Sequence, residues 1–268
     1  MRRNTWKAGI GCAAIVLGVA TWATGAPPEP DAAPAAVQIV APEVIAPPAP
    51  EASAPRATRP AVPQIEAVPA SKAAAKIMKL RAEISESLTE TVYQHRTVVR
   101  RDEGIYKWDC SGMTAWMLRR AAPVARKALD KGRPVARDFY RHIRRQPTRR
   151  ASDGWKRIKH IEDVRPGDVF AWQRPPNFNS RSTGHVGFAV AAPRPVPEWP
   201  GAYTLRILDA TSLRHDRDTR PPGGAGGWGE GTILFMTDGA GRGTAYGWFG
   251  RRSRGVIATE IVFGRVSR

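Results

Sequence analysis

The spacing of apolar residues changes along the chain. Within residues 71–142, apolar residues recur every three or four positions, which is the period of a helix that packs on one face. This spacing predicts a helix from Ser71, a suitable N-cap, to about Arg96. It also predicts a helix that begins near Cys110 and ends before Pro123, and a further helix over 134–142 with proline at its start.

The second part of the chain has short apolar runs separated by turn signals rich in Gly, Pro and Asp, which is typical of strands. The glycine-rich stretch 223–231 lacks the pattern of a phosphate-binding loop and is interpreted as a turn or a mobile rim. Helices followed by a run of antiparallel strands predict an α+β fold. The predicted strands are 169–173, 185–191, 203–210, 231–237, 245–249 and 257–263.

Composition divides the 268 residues into three parts. Residues 1–26 have a basic start, a short apolar run and a small-residue end, the pattern of an export signal, with an uncleaved membrane anchor as the alternative. Residues 27–70 hold 12 of the 24 prolines, no glycine and no aromatic residue, which predicts a disordered Ala/Pro-rich linker. Residues 71–268 are then the folded domain, expected as a monomer in the periplasm or outside the cell.

The net charge of +18 resides in that domain and predicts a polyanionic partner. Export argues against nucleic acid and favours an anionic cell-wall polymer such as peptidoglycan. Contact with a membrane is expected only through an uncleaved N-terminal segment.

Cys110 is the only cysteine outside the predicted signal. In an oxidising compartment a single thiol has no internal disulfide partner, so it is either a reactive group or a buried apolar side chain. A position at a helix N-terminus favours the thiolate, and the free amide of Ser111 in the first turn could donate to a developing oxyanion.

Three further motifs follow Cys110 in the chain. The segment 109–112 (Asp-Cys-Ser-Gly) at a helix start, 165–172 (Arg-Pro-Gly-Asp-Val-Phe-Ala-Trp), 184–190 (Gly-His-Val-Gly-Phe-Ala-Val) and 208–211 (Leu-Asp-Ala-Thr) occur in the order and at the approximate spacing of the NlpC-type papain-like cell-wall cysteine peptidases. The chain resembles this family over roughly residues 90–265. The resemblance implies a papain-like fold, with N-terminal helices packed on an antiparallel sheet of about five to six strands.

A cysteine nucleophile needs a base, and the base needs an orienting group. We predict His185 as the base, because it begins a strand whose face continues with Gly187 and Ala189, small residues that would let the cysteine helix approach. Asp209 is the predicted orienting residue, with a turn-capping role as the alternative. His215 is its rival, in a charged loop that could instead bind substrate or be solvated.

The resemblance also implies weaker assignments around the thiol. Tyr93 is preferred over Tyr106 as an oxyanion-hole donor, although neither has the family's spacing. Asp109 and Ser111 could meet the amine of a stem peptide, while Asp109 is equally explained as a helix cap. Four tryptophans could line a cleft or belong to the core: Trp108, Trp172, Trp228 and Trp248.

The sequence therefore predicts an exported cysteine peptidase or amidase that hydrolyses peptide bonds of cell-wall stem peptides through Cys110, His185 and Asp209. It needs neither a metal nor an organic cofactor. Two alternatives remain: a non-catalytic basic wall-binding module, and an acyltransferase or transpeptidase that uses the same cysteine.

Overall fold

The computed structural model describes residues 67–267. The predicted export signal, most of the proline-rich segment and Arg268 lie outside these residues. Within the described part, the N-terminal third holds the helices and a small three-stranded sheet, and the remainder holds the larger sheet.

The helices begin where the sequence supplies caps. Ser71 caps α1 (Lys72–Ser87), its hydroxyl accepting a hydrogen bond from the amide of Ala74 at 2.9 Å. The helix ends earlier than predicted, because the chain turns into a parallel pairing of β1 (Glu90–Tyr93) with β3 (Ile105–Trp108). The remaining elements of this part are β2 (Val98–Arg100), α2 (Cys110–Ala121), α3 (Pro123–Lys127) and α4 (Ala136–Arg145).

The larger sheet contains every strand predicted from the alternating runs, together with β4 and the two-residue β7. Its path runs β10-β9-β8-β6-β5-β11-β4, and β7 pairs with β8. The strands are β4 (Trp155–Ile158), β5 (Val169–Gln173), β6 (Gly184–Ala189), β7 (Arg194–Pro195), β8 (Ala202–Thr211), β9 (Gly227–Thr237), β10 (Gly243–Gly247) and β11 (Ile257–Val266).

An additional pairing between β10 and β11 closes this sheet. Strands β11, β5, β6, β8, β9 and β10 thereby form a closed six-stranded antiparallel barrel, and β4 and β7 are two extra strands outside the ring. The predicted papain-like α+β fold, with N-terminal helices packed on an antiparallel sheet of about five to six strands, is wrong, because the sheet is a closed barrel. The strands were placed correctly, but their closure was not predicted.

The barrel gives the molecule two main cores. One lies inside the ring and contains Phe170, Trp172 and Phe235, among other large side chains. The other lies between the helices and the outer face of the barrel, and it contains Val186 and Phe188 with residues of α2. The predicted faces of β6 were therefore reversed: Val186 and Phe188 face the helices, whereas Gly187 faces Phe170 of the interior.

The glycine-rich stretch is only partly a turn. Residues from Gly227 onward form β9 and pair with the end of β8. Gly227 has a φ of +98°, and a Cβ atom there would lie 2.2 Å from the Thr91 hydroxyl. Glycine therefore allows β9 to approach β1 closely, and Tyr93 donates its amide to the carbonyl of Ala225 at 3.0 Å.

Candidate active site

Cys110 is the first residue of α2 and has Asp109 as its N-cap. One oxygen of Asp109 accepts hydrogen bonds from the Gly112 amide at 2.7 Å and from the Ser111 hydroxyl at 2.8 Å. The amides of Cys110 and Ser111 lie in the first turn of α2, where no carbonyl of a preceding helical turn can accept from them. They are therefore free to donate hydrogen bonds near the sulfur. Cys110 is 7% exposed and borders the helix-side core.

His185 lies beside this thiol at the mouth of the barrel. Its Nε2 is 2.6 Å from Oδ2 of Asp209, and Cys110 is close enough to influence the pKa of the same ring. Burial lowers the pKa of His185, but the charge of Cys110, the hydrogen bonds and the charge of Asp209 outweigh burial and raise the pKa to about 9. The ring is therefore protonated at neutral pH and lies between the Cys110 side chain and the Asp209 carboxylate.

Asp209 is fully buried and is the centre of the polar cluster. The Oδ2 atom that contacts His185 is also 2.8 Å from Nε2 of His215. Its other oxygen accepts a hydrogen bond from Arg220. Burial raises the pKa of Asp209, but His215, Arg220 and the hydrogen bonds lower it well below its ordinary value, so the carboxylate is charged.

The structure brings the predicted residues Cys110, His185 and Asp209 together in series. His215 contacts the same oxygen of Asp209 as His185, and the centroids of the two imidazole rings are 6.4 Å apart. The other ring nitrogen of His215 is 3.2 Å from the carbonyl oxygen of Trp248. His215 is therefore a buried neighbour of the carboxylate, which contradicts the solvated turn, whereas a role in substrate binding stays a prediction.

Sequence reasoning missed Arg220 and Asp218 as members of this cluster. Both side chains are almost fully buried, and Arg220 Nη1 lies 2.7 Å from Oδ2 of Asp218. The same oxygen of Asp218 accepts a hydrogen bond from the amide of His215 at 2.7 Å. No local pattern marked them, because a run of charged residues between two strands usually lies in solvent.

Tyr93 lies close enough to the site for its hydroxyl to be affected by the charges there. Burial, followed by the charges of Cys110, Asp109 and Asp209, raises the pKa of Tyr93 above its ordinary range. The phenol is therefore protonated and is available as a hydrogen-bond donor. Tyr106 is instead buried beside Ser87, with 3.3 Å between the two hydroxyls, in the aromatic core.

Asp109 also connects α2 to the surface. Its second oxygen is 3.3 Å from Nδ1 of His95 and 3.7 Å from a guanidinium nitrogen of Arg133. The His95 side chain is largely exposed, so this group lies at the entrance side of Cys110. Both oxygens of Asp109 therefore have protein partners, and Ser111 donates to the same residue. Contact of Asp109 and Ser111 with a substrate amine stays a prediction.

Two of the four tryptophans flank the base. The ring centroids of Trp172 and Trp248 each lie 5.1 Å from that of His185. Trp108 and Trp228 belong to the helix-side core. Leu213 and Phe249 have exposed apolar side chains near Trp248: Phe249 follows it in the chain, and the Leu213 carbonyl accepts a hydrogen bond from its indole at 3.2 Å.

His185, Asp209 and His215 are also the one group within residues 67–267 whose donor atoms are close enough together to suggest a metal site. The geometry favours hydrogen bonding instead. Ligands about 2.0–2.2 Å from a tetrahedral ion are separated by more than 3 Å, whereas Asp209 lies 2.6 and 2.8 Å from the two imidazoles. Arg220, which donates to the same carboxylate, would also repel a cation.

Comparisons with known proteins identify no relative: no family model, no curated protein and no solved structure matches this chain. Among residues 67–267, none of the helices has the length and apolar character needed to cross a bilayer. The chemistry of the site must therefore be argued from its geometry.

Proposed function

We propose that this protein is a cysteine hydrolase that cleaves a peptide or amide bond through a thioester. The observation that supports it is the series Cys110, His185 and Asp209, in which a protonated imidazole is held between a helix-terminal thiol and a buried carboxylate. A buried, inert cysteine would not need a base that is itself oriented by a 2.6 Å hydrogen bond.

In this mechanism the Cys110 thiolate attacks the substrate carbonyl carbon and forms a C–S bond. The amides at the start of α2 and the protonated phenol of Tyr93 are the donors for the resulting oxyanion. His185 gives its proton to the leaving amine as the C–N bond breaks, which leaves a thioester. His185 then takes a proton from water, the hydroxide attacks the thioester, and the C–S bond breaks to release the carboxylic acid and restore the Cys110 thiolate beside protonated His185.

Peptide bonds of cell-wall stem peptides are the proposed substrate. This choice follows from the motif resemblance and from the basic charge of the chain, which suits an anionic wall. Asp209 acts by holding the tautomer and orientation of His185, and Arg220 and His215 keep Asp209 charged.

The test compares the full-length protein with two variants on purified wall stem peptides, with products identified by mass spectrometry. Cys110→Ala and His185→Gln should each lower the cleavage rate by at least about 10³-fold. The control His160→Gln changes an exposed histidine that follows β4, one of the two strands outside the barrel ring. This variant should cleave the stem peptides at the wild-type rate. Cleavage by Cys110→Ala at the wild-type rate would reject the proposal, and an added amine appearing in the product would indicate acyl transfer.

A further inference from the structure

Arg126, in α3, is a buried arginine without a carboxylate partner in the described part of the chain. Its residue exposure is 8%, and one guanidinium nitrogen donates to the carbonyl of Gly132 at 2.8 Å. Its Nε is buried and has no hydrogen-bond partner within residues 67–267. The contrast with Arg220 is direct, because that equally buried guanidinium pairs with both Asp209 and Asp218.

Arg126 lies in the wall of a surface cleft of about 490 Å³. Arg119 and Lys127 also line this cleft, and both are exposed. Lys131, a further lining residue, is neutralised by Asp138 at 2.7 Å. Asp130 is the one acidic residue among those that line the cleft, so positive charge remains in excess there.

Burying a guanidinium is costly unless a counter-charge compensates it. Burial and the charge of Arg119 both lower the pKa of Arg126. The neighbouring positive charge therefore adds to the free-energy cost of burying the guanidinium. An anion that reached the guanidinium from the cleft would supply the counter-charge that the described residues do not. Several cations around a planar, multi-donor guanidinium suit a dianion with several acceptor oxygens better than a single carboxylate.

We propose that the cleft formed by Arg119, Arg126 and Lys127 binds a phosphate group. This site is separate from the proposed catalytic centre, because Cys110 is at the first turn of α2 and Arg119 is in its last turn. The nine residue steps between them span about 14 Å of helix. The proposal therefore does not depend on the hydrolase activity.

Calorimetric titration of the full-length protein at constant ionic strength tests this site. Inorganic phosphate and glycerol 3-phosphate serve as the two probes, and chloride is the blank. Saturable binding of one phosphate is expected, and Arg126→Gln should weaken it at least tenfold. Tighter binding of glycerol 3-phosphate would identify an organic phosphate as the natural source, and tighter binding of inorganic phosphate would identify the free ion.

Two controls keep the outcome specific. Lys159→Gln removes an exposed positive charge outside this cleft and should leave phosphate binding unchanged, as should Cys110→Ala. If Arg126→Gln does not fold, the double variant Arg119→Gln/Lys127→Gln removes the two exposed cations and should weaken binding by a similar factor. Absence of binding to the wild-type protein, or equal loss in Lys159→Gln and the cleft variants, would overturn the proposal.

Discussion

Asp209 shows what a buried carboxylate needs from its neighbours. Removing a charge from water costs several kcal/mol, and the cost is recovered only when every lone pair finds a donor. In this site one oxygen of Asp209 hydrogen-bonds to both His185 and His215, and the other accepts from Arg220. The carboxylate therefore stays charged. Burial lowers the pKa of His185, but Cys110 and then Asp209, through its hydrogen bond and its charge, raise it, so the orienting residue contributes to the protonation state of the base.

The raised pKa of His185 makes a part of the folding stability depend on pH. The pKa is about 9 in the folded protein, against an ordinary value of 6.5, so the folded state binds the proton more tightly. This stabilisation is fully present below pH 6.5 and is lost as the pH rises from 6.5 through 9. The groups that face the ring are Cys110 and Asp209, with Trp172 and Trp248 beside it.

We therefore expect the free energy of unfolding of the wild type to exceed that of His185→Gln by the largest amount near pH 6. The difference should shrink toward pH 9.5, as measured by urea denaturation at several pH values. An NMR titration of the His185 imidazole supplies the control, because its midpoint should fall in Asp209→Asn. A stability difference that grows with pH would contradict the assignment of the charges.

At the same scale, sequence reasoning could propose Cys110, His185 and Asp209 because each belongs to a short motif with a chemical role. It could not place Arg220, because a loop with five charged or titratable residues among its six usually lies in solvent. Within the loop 215–220, His215 and Arg220 are buried: Asp216 bridges to Thr232 of β9, and the Arg220 side chain packs against Gly229. Those contacts join residues that are distant in sequence and have no local signal.

At the scale of elements, the register between β6 and β8 positions the base against its carboxylate. Phe188 pairs with Leu208 and Ala189 with Ile207. Gly187 lies where the strands approach most closely: a Cβ atom there would be 2.5 Å from the carbonyl oxygen of Leu208 and 2.9 Å from the Phe170 ring. Glycine at this position therefore has a packing role that affects the distance between His185 and Asp209.

Gly187→Ala should consequently destabilise the protein by about 1–3 kcal/mol through overpacking and should lower cleavage of wall peptides as β6 moves. Thermal unfolding and the cleavage assay measure the two effects. Gly239→Ala is the matched control, because a Cβ atom there meets nothing within 4 Å. Equal stability of the two variants would show that β6 has room to shift, contrary to the close approach.

The elements also show why the fold was missed. Period-two alternation located all six barrel strands, since each exposes one face to an apolar core. Alternation does not reveal which strands are neighbours, and the pairing that closes the ring joins β10 to β11, the last two strands. Where helices cover the barrel, both faces of a strand are buried. Either Gly187 or Val186 was therefore compatible with the helix side, and the two faces of β6 were predicted the wrong way round.

On the scale of the whole molecule, positive charge is distributed widely. All but one of the 18 net charges belong to residues 67–267. Two clefts collect part of it: the cleft around Arg126, and a second of about 440 Å³ lined by Arg149, Lys156 and Lys159, among others. Composition could predict a polyanionic partner. Only the folded structure distinguishes positive charges that are spread over the surface from those that surround a cleft with a buried arginine.

This distribution predicts how the protein should respond to salt. Diffuse attraction to an anionic wall is screened over about 10 Å at 0.1 M salt and about 3 Å at 1 M. Retention of the full-length protein on purified, insoluble cell wall should therefore fall steeply as NaCl is raised over this range, and Cys110→Ala should be retained equally well.

Arg126→Gln should lose its phosphate site in calorimetry yet keep most of its wall retention, because it removes only one of many charges. Wall stripped of its anionic polymers is the control and should retain little protein even at low salt. Retention that is insensitive to NaCl would mean that shape-specific contacts hold the protein on the wall, and the general basic charge would then have no part in locating the substrate.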